Sequence, residues 1–220
     1  MKMLVTFEKA FRLRMIGHLD LMRAMQRALR RSDLPIRYSQ GFNPHILLTF
    51  AAPLSLGHTG LREVMEVPVE GECNPDFFKA RLQRALPPEI QLVSVRAVDD
   101  THKSPMALLY AARYRADLEE VPDALRTALP AFLAQGEITA VKKTKTGEKT
   151  VDLKPMIHEC SLNGNAVYLT LDLREESSCK PELLLRTLSD FAGVPLPRFT
   201  CTRLMLFAMR DLALIPLEDA

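Results

Sequence analysis

At 220 residues, 47% of them apolar and 25% charged, the chain has the composition of an ordinary globular protein and the length of one large domain or two smaller ones. No apolar run reaches the roughly 18 residues of a membrane span. The opening MKMLVTFEKAFRLR interleaves charge where a secretory leader would present an apolar block, so the expected location is the cytoplasm, with no membrane partner.

Cys73, Cys160, Cys179 and Cys201 lie far apart, with no CxxC pair and no zinc or iron–sulfur spacing, so the sequence offers no metal site and implies no cofactor. Net charge is only +2, but it is unevenly distributed. Residues 1–62 hold ten Lys and Arg against Glu8, Asp20 and Asp33, a local balance of +7, which leaves −5 for the rest. The positive field belongs to the N-terminal third.

In chain order, residues 2–14 alternate as a first strand, and a turn at Gly17 opens a helix over His18–Arg31. Met22, Met25 and Leu29 recur at core-facing spacing, while Arg23, Arg27, Arg30 and Arg31 form a stripe on the other side. Pro35 closes the helix. Residues 36–39 are extended, 41–45 (GFNPH) form a turn, and 46–52 (ILLTFAA) read as a central apolar strand. The alternating segment 63–70 carries Pro68, which argues for an edge or a strand end. Asn74-Pro75 starts a helix over 76–86, and 91–98 is a strand.

The polar stretch 99–104 (DDTHKS) reads as a linker, and the pattern then repeats. Strand 106–118 leads to a helix over 121–133, and arms 138–145 and 150–153 flank a glycine turn. An extended segment over 155–162 runs to Asn163-Gly164, a hairpin signal, and strand 166–173, helix Pro181–Phe191 and strand 199–209 follow. The expected fold is therefore α+β. It consists of tandem ferredoxin-like βαββαβ domains, 1–100 and 101–220, each with an antiparallel sheet covered on one face by two helices.

The runs HLDLMRAMQRALRRSDLPIRYSQGFNPH, APLSLG and VDLKPMI together resemble a radical-SAM-associated family of bacterial proteins of unknown function, encoded beside or fused behind radical SAM proteins. The resemblance implies a companion protein, with a radical SAM protein as its partner. The chain has no CxxxCxxC motif, and after His45 it carries Ile46 and Leu47 where the family pattern implies a proline and a basic residue. In architecture it is also similar to the repeat-processing RNA endonucleases of CRISPR systems, an analogy of fold alone.

The candidate binding residues fall in two basic clusters. Arg12, Arg14, Arg23, Arg27, Arg30, Arg31 and Arg37 suit bidentate phosphate contacts, against the plainer reading of a solvated helix face. Tyr38 and Phe42 offer stacking faces for an unpaired base, and Gln40 and Asn43 can read base edges, although the same residues also suit an ordinary turn. Lys142, Lys143, Lys145, Lys149 and Lys154 form the second cluster, either an arm for nucleic acid or a partner, or a solvated hairpin.

His18 and His45 are the catalytic candidates, as general base or acid on an RNA 2′-hydroxyl, against the commoner roles of capping or bonding backbone. His58, His102 and His158 stand isolated in the sequence. The leading expectation is a non-enzymatic accessory protein that binds RNA or an RNA-modifying assembly. A metal-independent RNA endonuclease and a pure protein-interaction module are the alternatives.

Overall fold

The structure, a computed structural model, describes residues 1–144 and 147–220, with the backbone alone at 143 and 144. It is a mixed α+β protein with mostly antiparallel strands. Contacts divide it into two compact units, Met1–Leu109 with Arg203–Ala220, and Tyr110–Thr202.

In the first unit, β1 (Lys2–Lys9) leads through a 3-10 turn, Phe11–Leu13, to α1 (His18–Arg31). The short β2 (Thr49–Phe50), β3 (His58–Pro68), α2 (Pro75–Ala85), β4 (Ile90–Val98) and the single helical turn α3 (Pro105–Leu108) follow. β1 is central, antiparallel to both β3 and β4. Met3, Val5 and Phe7 face one way from it and pack with Leu21, Met25 and Leu29 of α1 and Phe78 and Leu82 of α2, all buried. The N-terminus of α2 forms as its sequence dictates: Asn74 Oδ1 accepts from the amides of Asp76 and Phe77 at 2.8 and 3.1 Å, with Pro75 at the first helical position.

The second unit contains β5 (Leu109–Leu118), α4 (Asp123–Ala134), β6 (Thr139–Thr144), β7 (Gly147–Asp152), β8 (Ile157–Asn163), β9 (Ala166–Asp172) and α5 (Pro181–Phe191). β9 lies between β5 and β8, antiparallel to both. The Asn163-Gly164 hairpin is present, with Gly164 at φ 59°. β6 and β7 pair with each other as a separate two-stranded sheet. The chain of β10 (Phe199–Arg210) begins in the second unit and ends in the first, where it lies beside β3 and pairs with β11 (Ala213–Pro216).

The structure corrects several sequence expectations. The first strand stops at Lys9, where its register with β3 shifts after Phe7, and residues 11–13 form a 3-10 turn. Residues 46–52 are apolar without being a central strand. Only Thr49–Phe50 pair with β3, and Ile46, Ala51 and Ala52 fill the core from a loop bracketed by Pro44 and Pro53. Of the two alternatives for segment 63–70, an edge or a strand end, the structure has the strand end: residues 63–68 close the interior strand β3, and Pro68 is its last residue. Residues 105–108 are helical, so the strand begins at Leu109.

In the first unit the sheet is also covered on the face away from α1 and α2. Leu4, Thr6 and Val64 are buried there, the terminal 3-10 turn Leu217–Asp219 packs on β1, and α3 packs on β2 and β3. Arg96 donates to the carbonyls of Glu218 and Ala220 at 3.1 and 3.0 Å.

Candidate nucleic-acid interface

Helix α1 is amphipathic in the way its sequence requires. Leu21, Met25, Ala28 and Leu29 are buried, and Arg23, Arg27, Arg30 and Arg31 are exposed. Arg23 is held by Asp20 one turn away at 3.1 Å, and Arg31 donates to the Ala85 carbonyl at 2.8 Å. Arg12, Arg27 and Arg30 are exposed and form no ion pair with any described residue. At the C-terminal end of α1, Arg31, Arg81 and Arg84 line a concavity of about 250 Å³ together with Ser32, Asp33 and Ala85. Arg81 is fixed there by the Ser32 carbonyl at 3.0 Å and the Asp33 carboxylate at 2.8 Å. Arg81 and Arg84 escape sequence inspection because they belong to α2, some fifty residues downstream.

The other arginines of the cluster have different surroundings. Arg14 lies with its guanidinium 3.9 Å from the centre of the exposed Phe11 ring and donates to the Phe11 carbonyl. Arg37 makes a two-pronged contact with Asp100 at 2.9 and 3.0 Å. That hydrogen-bonded pair raises the Arg37 pKa, and with the Met1 amino group beside it Asp100 falls to about 2. Arg37 thus ties the segment after β4 to the strand-like segment 36–38 and is already occupied.

The turn that follows is held by Ser39 and His45, with Ser39 Oγ 2.7 Å from His45 Nδ1 and accepting from the His45 amide at 3.0 Å. Gly41 sits at φ 126°, a conformation a side chain would strain. Gln40, Phe42 and Asn43 are exposed, Phe42 fully at 106%, and Tyr38 is 40% exposed.

Beneath this unit's surface lies an ionic cluster that the sequence does not announce. Arg203, 2% exposed, donates from Nε to Glu63 Oε1 at 2.8 Å and from Nη2 to Glu63 Oε2 at 2.5 Å. It also reaches the carbonyls of Pro53 and Ala52, each at 3.2 Å. Glu63 folds back over Gly60, where a Cβ would stand 2.5 Å from Oε1, so only glycine fits. Lys9, 1% exposed, donates to the Ile16 carbonyl at 2.9 Å. Burial pushes the Lys9 pKa down, Glu63 opposes the fall and Arg203 adds to it. His18 packs edge-on against Phe50, 5.3 Å between ring centres. Burial and then the Arg203 charge lower its pKa, which favours the neutral imidazole.

Residues 2–183 match a family model described as "Uncharacterized protein conserved in bacteria (DUF2344)". The chain belongs to this family. No curated protein matches it. The matched span of this DUF2344 chain contains the whole of α1, the 37–45 turn and Glu63, and it stops before Arg203.

In the second unit Lys142 and Lys149 stand opposite each other in the β6–β7 register. Lys142 donates to the Ser178 carbonyl at 3.2 Å, and Lys154 to the Leu133 carbonyl. Lys149 is exposed, Lys143 pairs through its backbone with Glu148, and Lys145 lies outside the described residues. His158 is not isolated: its Nε2 lies 2.6 Å from Asp172, whose buried carboxylate also accepts from Ser177 and Arg174 at 2.6 and 2.7 Å. Burial would raise the Asp172 pKa, but these three donors together bring it below the ordinary carboxylate value. The cluster ties the loop over 173–179 to the end of β9.

Proposed function

We propose that the chain is a non-catalytic accessory protein that recognises RNA, or an RNA-modifying assembly, on the α1 face and works beside a radical SAM partner. The observation that carries this reading is the exposed Arg27 and Arg30 of α1, with the concavity of Arg31, Arg81 and Arg84 at its C-terminal end and the exposed Arg12 on the turn before it. The exposed guanidinium groups of Arg12, Arg27 and Arg30 are available to phosphates, whereas in the concavity Arg81 is paired with Asp33 and Arg31 bonds the Ala85 carbonyl, leaving Arg84 as its open cation among the described residues. Phe42 and Tyr38 add exposed ring faces on which an unpaired base can stack. The radical SAM partner rests on the family resemblance of the α1 region and the turn, and membership of an uncharacterized bacterial family is compatible with it.

Gel shifts with bacterial RNA and pull-downs from bacterial extract test the reading, with Arg23→Glu/Arg27→Glu as the variant. Both positions are exposed, so the variant stays folded and loses binding. If neither assay changes, the reading fails. Incubating pure protein with total RNA in EDTA adds a further arm: discrete cleavage products would replace recognition by a histidine-dependent endonuclease.

A second reading, a protein-docking module, is favoured by Phe11, Met15, Leu19 and Leu56, which are 53%, 62%, 63% and 60% exposed. The first three lie on the turn and helix start that also bear Arg12 and Arg14, and Gly57 bonds the Arg14 carbonyl at 2.8 Å, bringing Leu56 to the same neighbourhood. Absence of RNA affinity at low salt, with a protein partner retained, would select this reading.

A further inference from the structure

The second unit contains a two-chambered cleft along the outer side of α5 that the recognition face of the first unit does not use. One chamber, of about 490 Å³, has Phe132, Ile138, Ala140, Val141, Leu183 and Phe191 among its walls, and the charged Arg186 and Asp190 also line it. The Phe132 and Phe191 rings stand 5.5 Å apart, and Val141 and Phe191 are 54% and 47% exposed. The second chamber, of about 420 Å³, is lined among the described residues by Val141, Lys142, Lys180, Glu182, Leu183 and Arg186, three cations to one carboxylate. Val141, Leu183 and Arg186 line both chambers, so the two adjoin along the first turns of α5. The result is a cleft in the size range of small-molecule sites, with its aromatic walls in one chamber and an excess of cations in the other.

We propose that this cleft binds a single-chain anionic amphiphile, with its hydrocarbon chain in the Phe132–Phe191 chamber and its carboxylate or phosphate headgroup between Lys142, Lys180 and Arg186. The excess of cations in the second chamber, beside the Phe132 and Phe191 rings of the first, carries the choice of ligand. A purely apolar ligand would leave the cations unused, and a purely ionic one would leave the chamber of Phe132, Val141 and Phe191 filled with water that gains from release. Arg186 and Lys180 are exposed and have no ion pair with any described residue, so they remain available to a headgroup. Lys142 is placed beside them by its bonds to Ser178 Oγ and the Ser178 carbonyl at 3.4 and 3.2 Å.

The test is calorimetric titration of the full chain with dodecyl phosphate and, separately, dodecanoate, both below their micelle concentrations, with dodecyltrimethylammonium as the control of opposite charge. The expected result is saturable one-to-one binding of at least one anion and none of the cation. The stronger of the two anions identifies the headgroup.

Arg186→Glu and Val141→Glu change exposed positions and should each weaken that binding at least tenfold, while Arg23→Glu/Arg27→Glu leaves it unchanged. The last control separates this proposal from the fate of the α1 face. In the wild-type chain, amide chemical-shift changes on titration should concentrate in residues 139–142 and 180–191. No saturable binding of either anion, equal binding of the cation, or shift changes centred elsewhere would overturn the proposal.

Discussion

Arg203 and Glu63, 140 residues apart in the chain, meet in a two-pronged ion pair in which both side chains are almost entirely buried. The pair joins β10 to β3, and Arg203 uses its remaining donors on the carbonyls of Ala52 and Pro53, so it also fixes the loop before β3. Removing one partner leaves an uncompensated buried charge, which costs about 3–5 kcal/mol. Arg203→Met is therefore expected to destabilise the fold by that amount. Arg203→Met/Glu63→Leu should cost clearly less than the two single changes added together, as read from urea midpoints. Gly60→Ala belongs to the same test: its Cβ would meet Glu63 Oε1 at 2.5 Å, and roughly 1–3 kcal/mol should be lost as the carboxylate is displaced.

His18 supplies a pH signature. Burial and the neighbouring Arg203 charge lower its pKa below 6.5 in the folded chain, so between the folded and unfolded values the unfolded chain binds more protons. Stability attributable to His18 is fully present above the unfolded value and is lost as pH falls from there through the folded value. NMR titration of the imidazole should give a midpoint below 6.5, and His18→Gln should flatten the fall in urea midpoint between roughly pH 7 and 5. A midpoint at or above 6.5 would contradict the packing described.

Asp100 acts at the acid end. Arg37 and the Met1 amino group stabilise its carboxylate, so its contribution to stability is present above 3.8 and lost as pH falls from 3.8 to about 2. In Asp100→Asn this part of the acid transition should be missing, and the difference in midpoint between the two proteins should shrink across that window. Because the pair is exposed, the effect at neutral pH is expected to be small, readable as greater proteolytic sensitivity near residue 100.

The parts of the fold legible in the sequence are those governed by local chemistry. Helix α1 follows from three-and-four spacing, α2 from the Asn74-Pro75 start, and the β8–β9 turn from Asn163-Gly164. Segment 46–52 misleads because an apolar run has the same composition whether it is a strand or a loop laid on a core.

The ionic cluster is invisible for a different reason. Lys9 and Glu63 sit in strands where charge normally signals a solvent face, and only the tertiary fold brings Arg203 to them. His158 looks isolated because its partner Asp172 lies on the neighbouring strand, 14 residues on. Of the candidate site, the stripe on α1 is readable in the helix period, whereas the contribution of Arg81 and Arg84 from α2 needs the packing of the two helices.

The central claim is that the α1 face of the first unit contacts phosphates. The most direct measurement is the salt dependence of binding to single-stranded bacterial RNA, compared between the wild-type chain and Arg23→Glu/Arg27→Glu. Each phosphate contact contributes about 0.7 to the slope of log affinity against log salt for a single strand, so losing the Arg27 contact should reduce the slope by at least about 0.7 and weaken binding at low salt, with Arg23 adding to the loss only as far as it leaves Asp20 for RNA. An unchanged slope and affinity in the folded variant would contradict the account.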